Sequence, residues 1–142
     1  MRLSGVLMLA CSVIVTACGG GGGSALTNAS VIPPPTTTET FTGTLSPNPN
    51  GFRSHNFTVA VAGTVTLTLT SAGPPATITI GIGIGTPITQ DPGCAVISGV
   101  QTMAGSAPQM TGTAAAVPLC ILVFDVGNLA TDIDYSVTVV HP

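Results

Sequence analysis

Few side chains in this sequence could do chemistry, and three aspartates near the end of the chain form their densest group. Asp125, Asp132 and Asp134 bracket a segment that contains Gly127 and Asn128. Carboxylates together with an Asn amide can bind Ca²⁺, although the spacing here matches no EF-hand loop. Asp is also frequent in turns, where its side chain bonds to nearby backbone amides. The sequence therefore leaves two interpretations open at the three aspartates, a turn and a weak calcium site.

The remaining polar residues give little indication of catalysis or of nucleic-acid binding. Ser54, His55 and His141 could suggest a hydrolase, but the chain has no Gly-x-Ser-x-Gly nucleophile elbow. Arg2 and Arg53 are its two Lys or Arg residues, and phosphate binding depends on clustered basic side chains. We therefore expect no enzymatic activity, no cofactor and no nucleic-acid partner.

The beginning of the chain matches a secretory signal peptide. Met1 and Arg2 give a positive start, and residues 3–17 form an apolar run with few polar interruptions. This run is shorter than the roughly 20 apolar residues that a membrane-spanning helix needs. It agrees instead with the apolar region of a cleaved signal, so the sequence predicts export.

Residues 15–18 read Val-Thr-Ala-Cys and resemble the lipobox of bacterial lipoprotein signal peptides. The resemblance implies cleavage after Ala17 and a diacylglyceryl group on the Cys18 thiol. Two or three acyl chains give stable anchoring, because each buried methylene contributes about 0.8 kcal/mol. Gly19, in place of Asp, implies delivery to the outer membrane. Two alternatives stay open, namely an unmodified Cys18 and lipidation at Cys11.

The composition divides the chain into three parts. Residues 1–17 form the signal peptide. Residues 18–40 form a tether that opens with a run of glycines after the cysteine and later contains the stretch Pro-Pro-Pro-Thr-Thr-Thr. Because glycines are flexible and prolines are extended, this tether would hold a domain away from a membrane surface. Residues 41–142 form that single domain.

Alternating apolar and polar residues predict β-strands along residues 41–142. The alternation is clearest in residues 64–70, 78–85 and 135–140, and clusters of Gly, Pro and Asn separate the strands. Residues 119–124 are continuously apolar, which suits a strand buried on both faces or covered by a loop. Short strands without intervening helices predict an all-β fold, a single antiparallel sandwich of six or seven strands. The low-complexity stretch 98–116 is not expected to order by itself.

The strand pattern resembles the bacterial pre-peptidase C-terminal-type domain. Residues 55–59 and 62–69 are similar to its early strands, in which a y-x-F-x-V strand leads through a Gly turn into an x-V-x-V-x-L strand. Residues 134–139 are similar to its last strand. The resemblance implies a small jelly-roll-like sandwich that accompanies secreted enzymes and is not itself catalytic. Here the domain would stand without a protease domain, so an accessory role in catalysis is not expected.

Cys94 and Cys120 are the two cysteines of the predicted domain. Export favours their pairing, and a loop of this length gives a chain-entropy stabilisation of about 3–4 kcal/mol. Two separate buried thiols are the alternative. Zinc is not expected, because two cysteines and two distant histidines lack the spacing of a zinc site.

Three glycines and the aromatic residues bear on whether the domain has a surface that binds a ligand. Gly81, Gly83 and Gly85 fall on one face of a predicted strand, where they permit either close packing or a shallow ligand groove. Among the aromatic side chains, those on the apolar faces of strands are expected to be buried, and Phe52, in a predicted turn, is expected to be free.

These features together predict a non-enzymatic lipoprotein of the bacterial cell envelope that displays a disulfide-pinned β-sandwich. Its predicted roles are adhesion, scaffolding or envelope maintenance, with the membrane as a partner through the lipid and an unknown protein or glycan as a further partner. The alternative function is a binding module for a small ligand, calcium or a glycan.

Overall fold

The computed structural model describes residues 32–47 and 51–142, and these residues form an all-β fold. The predicted signal peptide and Cys18 lie outside the described residues. The described strands are β1 (Thr37–Leu45), β2 (Phe52–Thr58), β3 (Gly63–Gly73), β4 (Ile80–Pro87), β5 (Cys94–Thr102), β6 (Met110–Ala114), β7 (Pro118–Phe124) and β8 (Ile133–His141). No helix in the described ranges is long and apolar enough to cross a membrane.

The strands form two four-stranded antiparallel sheets. The first sheet has the order β1-β8-β3-β6, and the second has the order β2-β7-β4-β5. Eight strands in this order make a jelly roll, a double sheet built from two Greek keys. The predicted jelly-roll-like β-sandwich is therefore confirmed.

The described strands number eight, whereas the sequence predicts six or seven, and the difference lies in β5 and β6. Residues 98–116 were expected not to order by themselves, yet they contain the end of β5 and all of β6. These residues order through pairing rather than by themselves, because β5 pairs with β4 and β6 pairs with β3 along ladders that no local pattern reveals. At the other end, β1 begins at Thr37, inside the segment predicted as tether, and pairs with β8.

The main core lies between the two sheets and follows from the alternation along the strands. In β3, Val65, Leu67 and Leu69 point inward, and the threonines between them point outward. The second sheet contributes residues such as Ile82 and Ile121. Alternation with a period of two places every second side chain in the core, which is why these strands were predictable.

The second sheet also carries a smaller apolar cluster on its outer face. Leu122 in β7 packs there with Cys94, Cys120, Phe52 and Phe124. Strand β7 is therefore buried on both faces, as its continuously apolar sequence predicts. Phe52 is not free in a turn, because it lies in β2 and packs against this cluster.

Candidate functional site

The two cysteines of the domain form a disulfide that crosses over a strand. Cys94 in β5 bonds to Cys120 in β7 with a Cα–Cα distance of 5.8 Å, although β4 lies between the two strands. Strands two positions apart are normally about 9.5 Å from each other, so the start of β5 bends over β4. Gly85 lies beneath the bend, and a Cβ there would overlap the carbonyl oxygen of Ala95. The bridge therefore depends on a glycine at this position.

The other glycines of β4 are also covered, so their face is packed. A Cβ at Gly81 would overlap the ring of Phe124, and one at Gly83 would lie 2.8 Å from a methyl group of Val96. Of the two interpretations left open by the sequence, the structure supports close packing at these positions.

Asp125 organises the turn between β7 and β8. Its Oδ1 accepts hydrogen bonds from the backbone N–H groups of Gly127 (2.8 Å), Asn128 (3.1 Å) and Leu129 (3.3 Å). The side chain is buried, and the Asn128 amide donates to the carbonyl of Thr79 at 3.0 Å. This arrangement is the turn interpretation, in which a carboxylate satisfies successive amides.

The other two candidate calcium ligands lie apart from that turn. Asp134 accepts a hydrogen bond of 2.8 Å from the hydroxyl of Thr44 on β1, and Asp132 is exposed. Within the described ranges, no group of three or more His, Cys, Asp and Glu side chains could hold a metal ion. The structure thus does not bring Asp125, Asp132 and Asp134 together as ligands.

The side of the sandwich formed by β1 and β2 is closed by aromatic and polar contacts. The ring of Phe41 stacks on that of His55 with centroids 5.0 Å apart, and His55 Nε2 shares a hydrogen bond of 2.7 Å with the Tyr135 hydroxyl. Burial lowers the pKa of His55. Burial also raises the pKa of Tyr135 to about 12, against the opposing effect of the Arg53 charge. A neutral pair therefore joins the two sheets here.

The histidines and Ser54 are not arranged as the hydrolase pattern requires. Ser54 and His55 are neighbours on β2 and point to opposite faces, because side chains alternate along a strand. His141 is buried, with Nε2 lying 2.8 Å from Glu39 Oε1 and its ring packed against Phe57. These contacts tie β8 to β1 and β2, which is a structural role.

The opposite side of the sandwich, between β5 and β6, is open. An apolar cleft of about 400 Å³ enters there between the two sheets. Leu67, Ile84, Met110 and Leu119 are among its lining residues, and Ile97 stands at its rim with 74% of its surface exposed. The cleft therefore reaches side chains that belong to the main core.

Two features of the edge strands create the cleft. Gly112 pairs with the inward residue Val65, and no atom lies within 4 Å of where its Cβ would be. In β5 the pairing with β4 passes from Ser98 to Val96, so Ile97 forms a bulge. A missing side chain leaves the space, and a bulge re-aims the residue beside it.

The surroundings of the cleft carry no charge. Residues 92–124, which contain β5, β6 and β7, include no Asp, Glu, Lys, Arg or His. The described residues hold no buried side-chain polar atom without a hydrogen-bond partner. The cleft thus offers apolar contact rather than directed polar recognition. The cleft is not among the candidate sites predicted from the sequence, and the uncharged run of residues 92–124 is the one sequence signal for it.

A scan against protein-family models finds no matching family, and a search among curated proteins finds no match. The resemblance to the pre-peptidase C-terminal-type domain therefore stays a prediction from the strand pattern, and the fold is shown by the structure itself.

Proposed function

We propose that this protein is a non-enzymatic lipoprotein of the bacterial cell envelope, anchored by acyl chains on Cys18. The lipobox resemblance at residues 15–18 and the apolar run before it support this proposal. The structural observation that carries it is the Cys94–Cys120 disulfide, because such bonds form and persist outside the reducing cytoplasm. The signal-peptide pattern and the disulfide are thus two independent indications of a compartment outside the cytoplasm.

Charge supports attachment through lipid alone. Cleavage after Ala17 would leave Arg53 as the one Lys or Arg residue against five acidic side chains. A chain with this balance has no electrostatic attraction to an anionic membrane surface. Gly19 supports the outer membrane as the destination.

The displayed domain has two candidate roles. Its disulfide and its two sheets, joined by His55 and Tyr135, make it suitable as a rigid scaffold or adhesion module. The cleft between β5 and β6 is the observation that favours the second role, a binding module, since ligand sites commonly measure about 300–1,000 Å³. A calcium-binding role has less support, because three backbone amides already bond to Asp125.

The anchor is tested by replacing the candidate cysteine in the full chain. Cys18→Ala should move the protein from the membrane fraction to the soluble fraction of bacterial cells. Cys11→Ala is the matched control, because that residue would leave with the signal peptide, and it should stay in the membrane fraction. Retention of the Cys18→Ala chain in the membrane would contradict the proposed anchor.

A further inference from the structure

The cleft between β5 and β6 has the size and the lining of a ligand site. Its volume of about 400 Å³ lies within the usual range for such sites. Its floor consists of the core side chains Leu67 and Leu119, and its flexible wall includes Met110. Because residues 92–124 carry no ionisable Asp, Glu, Lys, Arg or His, a charged group would gain nothing by entering.

The space between the sheets suits hydrocarbon better than polypeptide. Packed sheets lie about 10 Å apart, and a backbone inserted there would bury N–H and C=O groups that need partners. The bulge at Ile97 interrupts the β5 ladder at the point where an added strand would have to pair. A hydrocarbon chain has no groups to satisfy. We propose that the cleft binds the acyl chain of a membrane lipid.

The membrane as the source of that chain rests on the proposed lipid anchor. Residues 19–36 separate Cys18 from β1 and can span at most about 60 Å. This length sets an upper limit on the distance between the domain and the membrane, and a flexible tether also allows the domain to reach the membrane surface. The preference for hydrocarbon rests on the cleft alone. The two claims are therefore tested with different proteins.

The first experiment uses the full chain with Cys18→Ala, so that no acyl group of its own competes. Octanol and decanol serve as probes, and methyl NMR of labelled methionines reports their binding. The Met110 methyl group lines the cleft, whereas Met103 is exposed elsewhere and serves as an internal control. We expect the Met110 signal to shift saturably while the Met103 signal stays in place. Decanol should bind roughly 15-fold more tightly than octanol, because each methylene contributes about fourfold.

A cleft-filling variant tests where the probe binds. Gly112→Ile places a side chain in the open space and should weaken binding by roughly 15-fold or more, the equivalent of two methylenes. The fold should tolerate it, since nothing lies within 4 Å of the new Cβ, and Gly112→Ala is a milder substitute. Thr68→Ile, on the outer face of β3, is the matched control and should leave the affinity unchanged. An unmoved Met110 signal, equal affinity for both alcohols, or full binding by Gly112→Ile would overturn the proposal.

The second experiment identifies the source of the chain. The lipidated protein is placed in a phospholipid nanodisc, and nuclear Overhauser contacts between the Met110 methyl group and acyl protons are measured. Contacts should appear with ordinary phospholipid and disappear when its acyl chains are deuterated. Contacts that persist with deuterated phospholipid would show that the acyl group on Cys18 fills the cleft, which would overturn the assignment to membrane lipid.

Discussion

Replacement of Gly85 tests the strand crossing beneath the disulfide. Gly85→Ala adds one methyl group where the start of β5 passes over β4, and the new Cβ would overlap the backbone of Ala95. A flexible side chain could turn away from such a contact, but backbone next to the disulfide at Cys94 cannot. The methyl group must therefore push the start of β5 away from β4.

The expected cost follows from this overlap. Overpacking a filled site typically costs about 1–3 kcal/mol, and we expect Gly85→Ala to lower the free energy of unfolding by about 2 kcal/mol. For a domain of this size that equals a fall in Tm of roughly 10 °C. Gly112→Ala is the matched control, because its new methyl group meets open space, and it should be neutral or stabilising by up to about 1 kcal/mol.

Urea unfolding of both variants, followed by circular dichroism, measures these differences. The same pair is then compared in a chain that carries Cys94→Ala and Cys120→Ala, in which the start of β5 is no longer held to β7. There Gly85→Ala should cost less, by about 1 kcal/mol. Equal costs for Gly85→Ala and Gly112→Ala, or the same Gly85→Ala cost with and without the disulfide, would refute the reasoning.

Three further predictions concern the disulfide, the titrating pair and the turn. Replacing both Cys94 and Cys120 by Ala, which opens a loop with a sequence separation of 26, should lower the free energy of unfolding by about 3.5 kcal/mol; urea unfolding with and without reductant measures this, and an unchanged midpoint would contradict it. Because burial lowers the pKa of His55 in the folded state, the contribution of neutral His55 to the free energy of unfolding should be complete above about pH 6.5. It should fall as the pH drops below that value. Tyr135, whose pKa burial raises to about 12, should contribute fully below about pH 10 and lose its contribution between about pH 10 and that value. In thermal melts across pH, the Tm of His55→Gln should therefore fall less at acid pH than that of the original protein, and the Tm of Tyr135→Phe should fall less at alkaline pH. Unchanged pH profiles would count against the assigned burial effects. Asp125→Ala removes the acceptor of three backbone amide hydrogen bonds and should lower the free energy of unfolding by about 2 kcal/mol, as measured by calorimetry. Asp125→Asn keeps one side-chain oxygen as an acceptor and should cost less. Equal costs for the two variants would contradict the role of this oxygen in the turn.

Most of the sandwich could be predicted because its central strands bury one face each. In β3 and β8 every second residue is apolar, so the period of two stands out in the sequence. Strand β7 was recognisable for the opposite reason, since it is buried on both faces and reads as one apolar run. The disulfide was favoured over two separate thiols because the domain that contains the two cysteines is predicted to be exported. The strand patterns among these features are local in the sequence.

The edge strands and the cleft could not be predicted in the same way. Strand β5 carries mostly exposed residues, so burial imposes no alternation on it, and its bulge at Ile97 arises from pairing with β4. The cleft exists because Gly112 has no side chain at an inward position, and a single glycine gives no signal of its own. The contact between His55 and Tyr135 joins residues 80 positions apart, which only the folded chain brings together.

Intact-mass and peptide mass spectrometry of the protein purified from bacterial membranes tests the central proposal most directly. We expect a mature chain that begins at Cys18 and carries a diacylglyceryl group on the Cys18 thiol. The Cys11→Ala chain should give the same product. A chain that begins at Cys18 without a lipid on its thiol, or an acyl group on Cys11 with residues 12–18 still present, would contradict the proposed anchor.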